Sequence, residues 1–174
     1  IGVNTGLMLL TNNEAELAGV VAHEIGHVVQ RHLARALQAQ GRSSLTSLAT
    51  MLGAILLGAA TGSADAAMGG VALAQGITMQ QQINFTRMEE HEADRVGINF
   101  LATAGYDPNG MVGFFAAMMR ERGVGGDEIP SLLLTHPVDT VRVAEARARV
   151  ASMPAYPRRP DSANYPFIRE RLRV

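Results

Sequence analysis

The sequence predicts a mainly helical domain of the α+β class, with two long helices and a small β-element. Apolar residues recur at helical spacing along residues 11–40 and again along residues 77–104. A weaker alternation of apolar residues over residues 1–10 favours one or two short strands ahead of the first long helix. The helical pattern covers far more of the chain than the alternating one, so helices are expected to build the core.

The composition indicates one domain without a strongly charged region. The chain has 174 residues, a formal net charge of −1 and no cysteine. A chain of this length buries roughly 70% of the surface that it exposes when unfolded. The near-neutral charge argues against a nucleic-acid partner. Because cysteine is absent, disulfides and thiolate ligands are excluded, and any metal must be held by imidazole and carboxylate groups.

The first residues predict that the chain is clipped from a longer one. Residues 1–6 have the pattern of a strand already under way, and no signal peptide is visible. Targeting information is therefore expected upstream, and the lack of cysteine is compatible with export.

The stretch from Thr11 to Gln40 is predicted to form one amphipathic helix. Thr11 and Glu14 have the spacing of a capping box, so the helix is expected to begin near Asn12. Gly41 is the expected C-cap.

The centre of this helix holds His23-Glu24-Ile25-Gly26-His27, an H-E-x-x-H motif. Residues four apart project from the same helical face, so His23 and His27 can hold one zinc ion. Glu24 lies between them and can reach a water molecule at the metal. The alternative is a buried helix whose histidines are only hydrogen-bonded, and the motif by itself leaves both interpretations open.

Residues 44–76 are rich in alanine, glycine, leucine and methionine, with a turn expected at Asp65. Their most apolar part, residues 45–60, is shorter than the roughly 20 residues that span a bilayer. We therefore favour a close-packed helical hairpin over a membrane span. A mobile apolar cover over the active site, or a surface that touches lipid, is the remaining alternative.

A second long helix is predicted from Ile77 to Ala104, with a dense charged cluster at residues 87–95. Asp107 is the expected cap of the next helix, and Pro108 occupies its first turn. Further helices are predicted at residues 138–153 and 165–172, on either side of a proline-rich stretch at residues 154–160.

The charged cluster supplies candidates for a third metal ligand. A catalytic zinc usually takes three protein ligands and keeps a fourth position open. Glu90 and Asp94 are four residues apart and so share a helical face. One of these carboxylates can bind metal while the other fixes the tautomer of a ligand histidine. A solvated charged face is the alternative, which the neighbouring H-E-x-x-H helix makes less attractive.

Taken together, these motifs resemble the M48 family of zinc metallopeptidases. H-E-I-G-H is followed by Glu90-His91-Glu92-Ala93-Asp94, which has the form E-x-x-A-D. Thr135-His136-Pro137 with Arg142 resembles a later motif of the family. Residues 4–7, 17–22 and 30–32 match the family's flanking sequence, so the resemblance covers nearly the whole chain.

The resemblance implies a gluzincin-like metallopeptidase domain, with an active-site helix, a partner helix and a small β-element beside the cleft. It implies one zinc ion per chain, with the ligands His23, His27 and Glu90. Glu24 would be the general base. Asp94 would support a ligand or donate a proton.

The resemblance also raises the possibility that His136 occupies the fourth zinc position and holds the enzyme shut. An oxyanion donor and a structural loop histidine are the alternatives. Arg142 is expected to pair with Asp94 or with a substrate carbonyl. His32 and His91 lie off the ligand face and are expected to be structural or solvent-exposed.

The implied function is zinc-dependent endopeptidase action on polypeptides, including misfolded or membrane-assembly proteins. The alternative is a zinc-containing chaperone or scaffold module. Residues 1–174 would form a single peptidase domain, whose tail at residues 154–174 leads toward tetratricopeptide repeats that bind outer-membrane assembly partners. The expected location is the periplasm, or another exported location, of a bacterium. The protein is not expected to be integral to the membrane, although residues 45–76 offer a peripheral lipid contact.

Overall fold

The computed structural model describes residues 3, 5–124, 136–155 and 157–173, without the side chains of residues 43 and 122–124. Across this part of the chain the fold is helical and contains no strand, so the predicted mainly helical class is confirmed while the small β-element is not seen. The described helices are α1 (Thr5–Leu10), α2 (Glu14–Val29), α3 (His32–Thr61), α4 (Ala64–Thr103), α5 (Asn109–Val124), α6 (Thr140–Ala151) and α7 (Tyr165–Glu170).

The chain forms two compact units. The first unit consists of Ile1–Gln30 and Glu90–Val174, and the second of Arg31–Glu89. Helix α4 contributes to both, since its first part belongs to the second unit. The single peptidase domain expected for residues 1–174 stays a prediction.

A hydrophobic core joins α2, the C-terminal part of α4, α5 and α6 within the first unit. Its buried side chains are Val20, Ala22, Ile98, Leu101, Met111, Phe114, Phe115, Met118, Val138, Val143 and Ala146. Full burial of a large apolar side chain stabilises a fold by roughly 1.5–3 kcal/mol. These contacts fix α2 against α4, which carries Glu90 and Asp94, and against α6, which carries Arg142.

The strand predicted over residues 1–10 is wrong where the structure describes it, because Thr5–Leu10 form α1. Leucine and methionine are strong helix formers, and they outweigh an alternation only a few residues long. The hydroxyl group of Thr11 then donates to the carbonyl oxygens of Leu7 and Met8 at the end of this helix.

The helix predicted over residues 11–40 is divided into α2 and α3. Arg31 adopts a left-handed conformation, with φ 55° and ψ 38°, and this turns the chain between Val29 and His32. Left-handed backbone costs a residue with a side chain roughly 1–2 kcal/mol, so it is uncommon at arginine. The sequence pattern therefore does not indicate that the helix is interrupted here. The predicted C-cap at Gly41 is therefore wrong, since Gly41 lies inside α3.

The capping box of α2 lies two residues after its predicted place. The side chain of Asn13 accepts a hydrogen bond from the backbone nitrogen of Glu16 at 2.8 Å. The carboxylate of Glu16 in turn accepts one from the backbone nitrogen of Asn12 at 2.7 Å. This exchange satisfies two backbone donors at the helix start and fixes the register of the histidine motif that follows.

Helices α3 and α4 meet at Gly62 and Ser63, which confirms the turn predicted at Asp65 and the glycines around it. Gly62 caps α3 in a left-handed conformation, with φ 64°. The length argument against a membrane span is corrected, because α3 runs for 30 residues with a mean hydropathy of 1.6 in its most apolar window. By length and composition this helix is able to cross a membrane, which is weak support for a span.

The helices predicted after residue 108 are confirmed, with ends within a few residues of those expected. Asp107 caps α5 by accepting a hydrogen bond from the backbone nitrogen of Asn109 at 2.9 Å. Asp139 caps α6 in the same manner. The tail returns to the first unit, where the backbone nitrogen of Ser162 donates to Glu14 and the side chain of Tyr165 is buried.

Candidate metal centre

Four side chains converge within the first unit: His23, His27, Glu90 and His136. One ligand atom from each lies within 4.8 Å of the other three. The Nε2 atoms of His23 and His27 are 3.0 Å apart, and Nδ1 of His136 is 2.9 Å from Oε1 of Glu90. Helix α2, helix α4 and the segment before α6 each contribute to this cluster.

Two glycines allow α2 and α4 to approach closely enough to form the cluster. A Cβ atom on Gly26 would lie 2.9 Å from the carbonyl oxygen of Ala93, and one on Gly97 would lie 3.0 Å from the backbone nitrogen of His23. Any larger residue would push the helices apart, because real Cβ contacts are not this short. Gly26 occupies a variable position of the H-E-x-x-H motif, so its structural role could not be read from the motif.

Asp94 determines how the imidazole of His23 is presented. Its Oδ1 atom lies 2.8 Å from Nδ1 of His23, and the side chains of both residues are less than one-tenth exposed. A proton on Nδ1 would face this carboxylate and leave the Nε2 lone pair of the neutral ring directed toward His27 and Glu90. Asp94 therefore acts on the cluster through His23.

Arg142 binds the carboxylates of Glu90 and Asp94 on α4. Its Nε and Nη2 atoms donate to the two oxygens of Asp94, each at 2.7 Å, and its Nη1 atom lies 2.8 Å from Oε2 of Glu90. Nη1 also donates to the carbonyl oxygen of Pro137 at 2.8 Å. Of the two expectations for Arg142, pairing with Asp94 is the one that the structure shows. The pairing with Glu90 was not predicted.

The charges around His23 favour a positive charge at this position. Burial alone would lower the pKa of His23, but hydrogen bonds and charge from Asp94 and Glu90 outweigh burial and raise this pKa to about 9. Burial raises the pKa of Glu90, but hydrogen bonds from the surrounding histidines and the charge of Arg142 outweigh it and hold this pKa well below its usual range. The pKa of Asp94 is lowered too, because hydrogen bonds from His23 and Arg142 outweigh its burial.

Two of the distances among the four donors match those around a tetrahedral cation. Ligands bonded to zinc at 2.0–2.1 Å lie about 3.3 Å apart, by tetrahedral geometry. The distances from His27 Nε2 to Glu90 Oε1 and from His23 Nε2 to His136 Nδ1 are 3.2 and 3.4 Å. Two imidazole lone pairs 3.0 Å apart, as at His23 and His27, repel each other unless a proton or a cation lies between them.

Glu24 lies beside this cluster rather than in it. Its Oε1 atom is 3.4 Å from Nε2 of His136, and its side chain is 28% exposed, so it is accessible to water. The structure thus brings together every residue predicted for the site. Outside the cluster, His32 is buried and His91 pairs with Glu145 at 2.8 Å near the surface.

Comparison with known protein families identifies the family of the chain. The model of the family described as peptidase family M48 matches residues 1–150. The chain therefore belongs to peptidase family M48.

Among its relatives, the beta-barrel assembly-enhancing protease of Yersinia pestis is 40% identical over 171 residues, which is 98% of this chain. The protein of the same name from Escherichia coli (strain K12) is 40% identical over 87% of the chain. The mitochondrial metalloendopeptidase OMA1 of Arabidopsis thaliana is 31% identical over 79%. The chain spans only 34%, 30% and 25% of the lengths of these three relatives, respectively.

Proposed function

We propose that this chain is the catalytic domain of a zinc-dependent endopeptidase. The proposal rests chiefly on one observation, the carboxylate of Glu24 beside a cluster of three imidazoles and one carboxylate. Family membership supports a metal-dependent peptidase, and the donor set supports zinc, which favours nitrogen and carboxylate ligands in tetrahedral arrangement. One ion per chain follows from the presence of one such cluster among the described residues.

In this proposal, His23, His27 and Glu90 hold the metal, and Asp94 keeps the Nδ1 proton of His23 in place. A zinc ion bound there would lower the pKa of a water molecule toward about 7 and polarise the scissile carbonyl group. Glu24 would act as the general base, accepting a proton from the attacking water and delivering it to the leaving amine. Asp94 therefore supports a ligand in this proposal and does not act as the proton donor, because its two oxygens are engaged by His23 and Arg142.

His136 is proposed to be an inhibitory fourth ligand. Its Nδ1 atom lies 3.4 Å from Nε2 of His23 and 2.9 Å from Oε1 of Glu90, so it would compete with water for a zinc ion held by the other three donors. Its Nε2 atom faces Glu24. Hydrolysis then requires His136 to leave, which makes substrate access depend on the segment that precedes α6.

The substrates are proposed to be polypeptides, and the partners to be proteins of outer-membrane assembly. The support is the name shared by the Yersinia pestis and Escherichia coli relatives, beta-barrel assembly-enhancing protease. The corresponding location is the periplasm of a bacterium. The longer relatives leave room for a partner-binding region, which we propose to be tetratricopeptide repeats.

A proteolysis assay tests the proposal and separates it from a chaperone or scaffold role. The purified chain should cleave unfolded casein, lose this activity with a chelator and regain it with zinc. Glu24→Gln should abolish cleavage while the chain still binds one zinc ion, because an amide cannot accept the proton. The matched control is Glu170→Gln on α7, far along the chain and exposed. Full activity of Glu24→Gln, or activity that survives chelation, would reject the mechanism.

A further inference from the structure

The second unit is a helical hairpin whose small side chains face inward. Its arms are α3 and the part of α4 up to Glu89. A Cβ atom on Gly58 would lie 2.5 Å from the Cβ of Ala67, and one on Gly70 would lie 3.1 Å from the Cβ of Ala54. Small residues on both arms therefore line the contact, which lets the two backbones approach closely.

The large apolar side chains of the hairpin face outward. Those on α3 are 50–71% exposed: Leu45, Leu48, Met51, Leu52, Ile55, Leu56 and Leu57. At 100° per residue they occupy roughly 240° of the circumference of the helix, measured around Ala54. On α4, Met68, Leu73, Ile77 and Met79 are 51–74% exposed. In a pair of helices stabilised in water, side chains of this size would be buried between the arms.

Several polar side chains of the hairpin form hydrogen bonds within its own helices. Asp65, beside the turn, is the sole charged residue between positions 43 and 86. The hydroxyl groups of Thr46, Thr50 and Thr61 donate to carbonyl oxygens one turn earlier at 2.6–3.1 Å. The side-chain amide of Gln80 donates to that of Asn84 at 2.9 Å. Internal satisfaction of this kind is what a hydrocarbon environment demands.

Positive charge is concentrated at the open end of the hairpin, opposite the turn. Arg31, Arg35 and Arg42 lie on or beside the first part of α3, and Arg87 lies on α4, against the single acidic residue Glu89. The guanidinium group of Arg35 lies 6.0 Å from the centre of the Phe85 ring. Basic and aromatic residues are typical of the headgroup level of a membrane with anionic lipid.

We propose that this hairpin inserts into a lipid bilayer that carries anionic headgroups. The outward side chains of residues 45–60 contact acyl chains, while the arginines of the open end contact headgroups. A second copy of the chain would bury only one side of each arm. Acyl chains surround a helix, so they match apolar side chains that are exposed over most of its circumference. Both arms enter from the same face because a short turn joins them, and residues 45–60 extend about 24 Å as a helix, which is most of the roughly 30 Å of hydrocarbon. This property is independent of catalysis at His23.

Tryptophan fluorescence can test the proposal, because the chain contains no tryptophan. We suggest Leu56→Trp in the apolar C-terminal half of α3, with the exposed Phe167→Trp on α7 as the matched control. The probe is vesicles of phosphatidylethanolamine with a minor fraction of phosphatidylglycerol, with and without bromine on the acyl chains. Emission from Leu56→Trp should shift to the blue on vesicles and be quenched by brominated lipid, and emission from Phe167→Trp should do neither.

Flotation of the full chain with the same vesicles gives a second measurement. Leu52→Asp should weaken the partition coefficient by roughly a hundredfold, since a charged side chain at the bilayer centre is strongly disfavoured. Phe167→Asp should leave it unchanged, and Asp65→Asn should increase it. Proteolysis by Leu52→Asp in solution should equal that of the unmodified chain. A failure of vesicle binding would overturn the hairpin proposal without affecting the catalytic one.

A concentration-dependent blue shift of Leu56→Trp without vesicles, together with dimers in sedimentation, would also overturn it, in favour of a second copy of the chain. Emission from Leu56→Trp that stays red-shifted on vesicles would mean that the hairpin does not enter the hydrocarbon.

Discussion

Arg142 and Asp94 are joined by two parallel hydrogen bonds, from Nε to Oδ2 and from Nη2 to Oδ1, each 2.7 Å long. Both side chains are less than one-tenth exposed. The same guanidinium group reaches Glu90 and the carbonyl oxygen of Pro137, and it lies 4.9 Å from the centre of the Phe115 ring. Arg142 therefore connects Glu90 and Asp94 of α4 with the segment that carries His136.

Replacing Arg142 by lysine should weaken zinc binding. Lysine keeps the positive charge but cannot form two parallel bonds, so Asp94 loses its fixed orientation. Changes to such supporting groups cost about 10–100-fold in metal affinity or activity. Competition with a chromophoric chelator measures the affinity. Arg147→Lys, on an exposed position of the same helix, is the control and should match the unmodified chain. Equal zinc affinity for Arg142→Lys and the unmodified chain would show that the two parallel hydrogen bonds to Asp94 do not contribute to zinc binding.

His136→Ala should raise the basal rate of proteolysis. If His136 takes the open position of the metal and the open form makes up about a tenth of molecules or fewer, its removal should increase kcat/KM about tenfold or more. Zinc stoichiometry should remain one, because three ligands are left. An unchanged or lower kcat/KM would reject the inhibitory role and favour an oxyanion donor or a structural histidine.

Gly26→Ala should destabilise the first unit and lower zinc affinity together. The added methyl group would lie 2.9 Å from the carbonyl oxygen of Ala93, which forces α2 away from Glu90. Overpacking of this kind costs about 1–3 kcal/mol in the free energy of unfolding, measured with urea. Gly53→Ala is the matched control, because nothing lies within 4 Å of that position and alanine favours helix. It should leave zinc affinity unchanged, and the prediction fails if both variants behave alike.

The stability of the metal-free chain should fall as the pH rises from about 6.5 to about 9. The pKa of His23 is 6.5 in an unperturbed chain and about 9 in the folded one, so the folded state binds this proton more tightly. Its contribution is complete below pH 6.5 and lost as the pH passes 9. Thermal unfolding after chelation measures this, with His23→Gln expected to flatten the decline. A melting temperature of the metal-free chain that rises over this interval would contradict the assignment.

Zinc binding should show the opposite pH dependence. The metal requires the deprotonated Nε2 of His23, so its binding displaces the proton and strengthens as the pH rises. Titration calorimetry in two buffers of different ionisation enthalpy should detect proton release at pH 7.

The local sequence pattern was sufficient to predict the site residues on α2, since a spacing of four residues places His23 and His27 on one face of the helix. Glu90 and Asp94 were likewise readable from spacing and from the family motif. The left-handed conformation of Arg31 could not be predicted from the sequence, because neither neighbouring residue indicates a break in an otherwise periodic helix. His23 and His136 are separated by 113 positions, so their proximity depends on the packing of α2, α4 and α6 rather than on any local rule. The contact between Arg142 and Glu90 is of the same long-range kind.

The bond from Arg142 to the carbonyl oxygen of Pro137 has a consequence for any attempt to engineer a constitutively open peptidase. Moving the segment around His136 breaks a bond made by the group that also holds Glu90 and Asp94. The guanidinium group of Arg142 thus holds both the segment around His136 and the carboxylates of Glu90 and Asp94. A substitution of Arg142 would therefore loosen all of them together. A substitution confined to the imidazole of His136, such as His136→Ala, leaves the contacts of Arg142 with Glu90 and Asp94 in place.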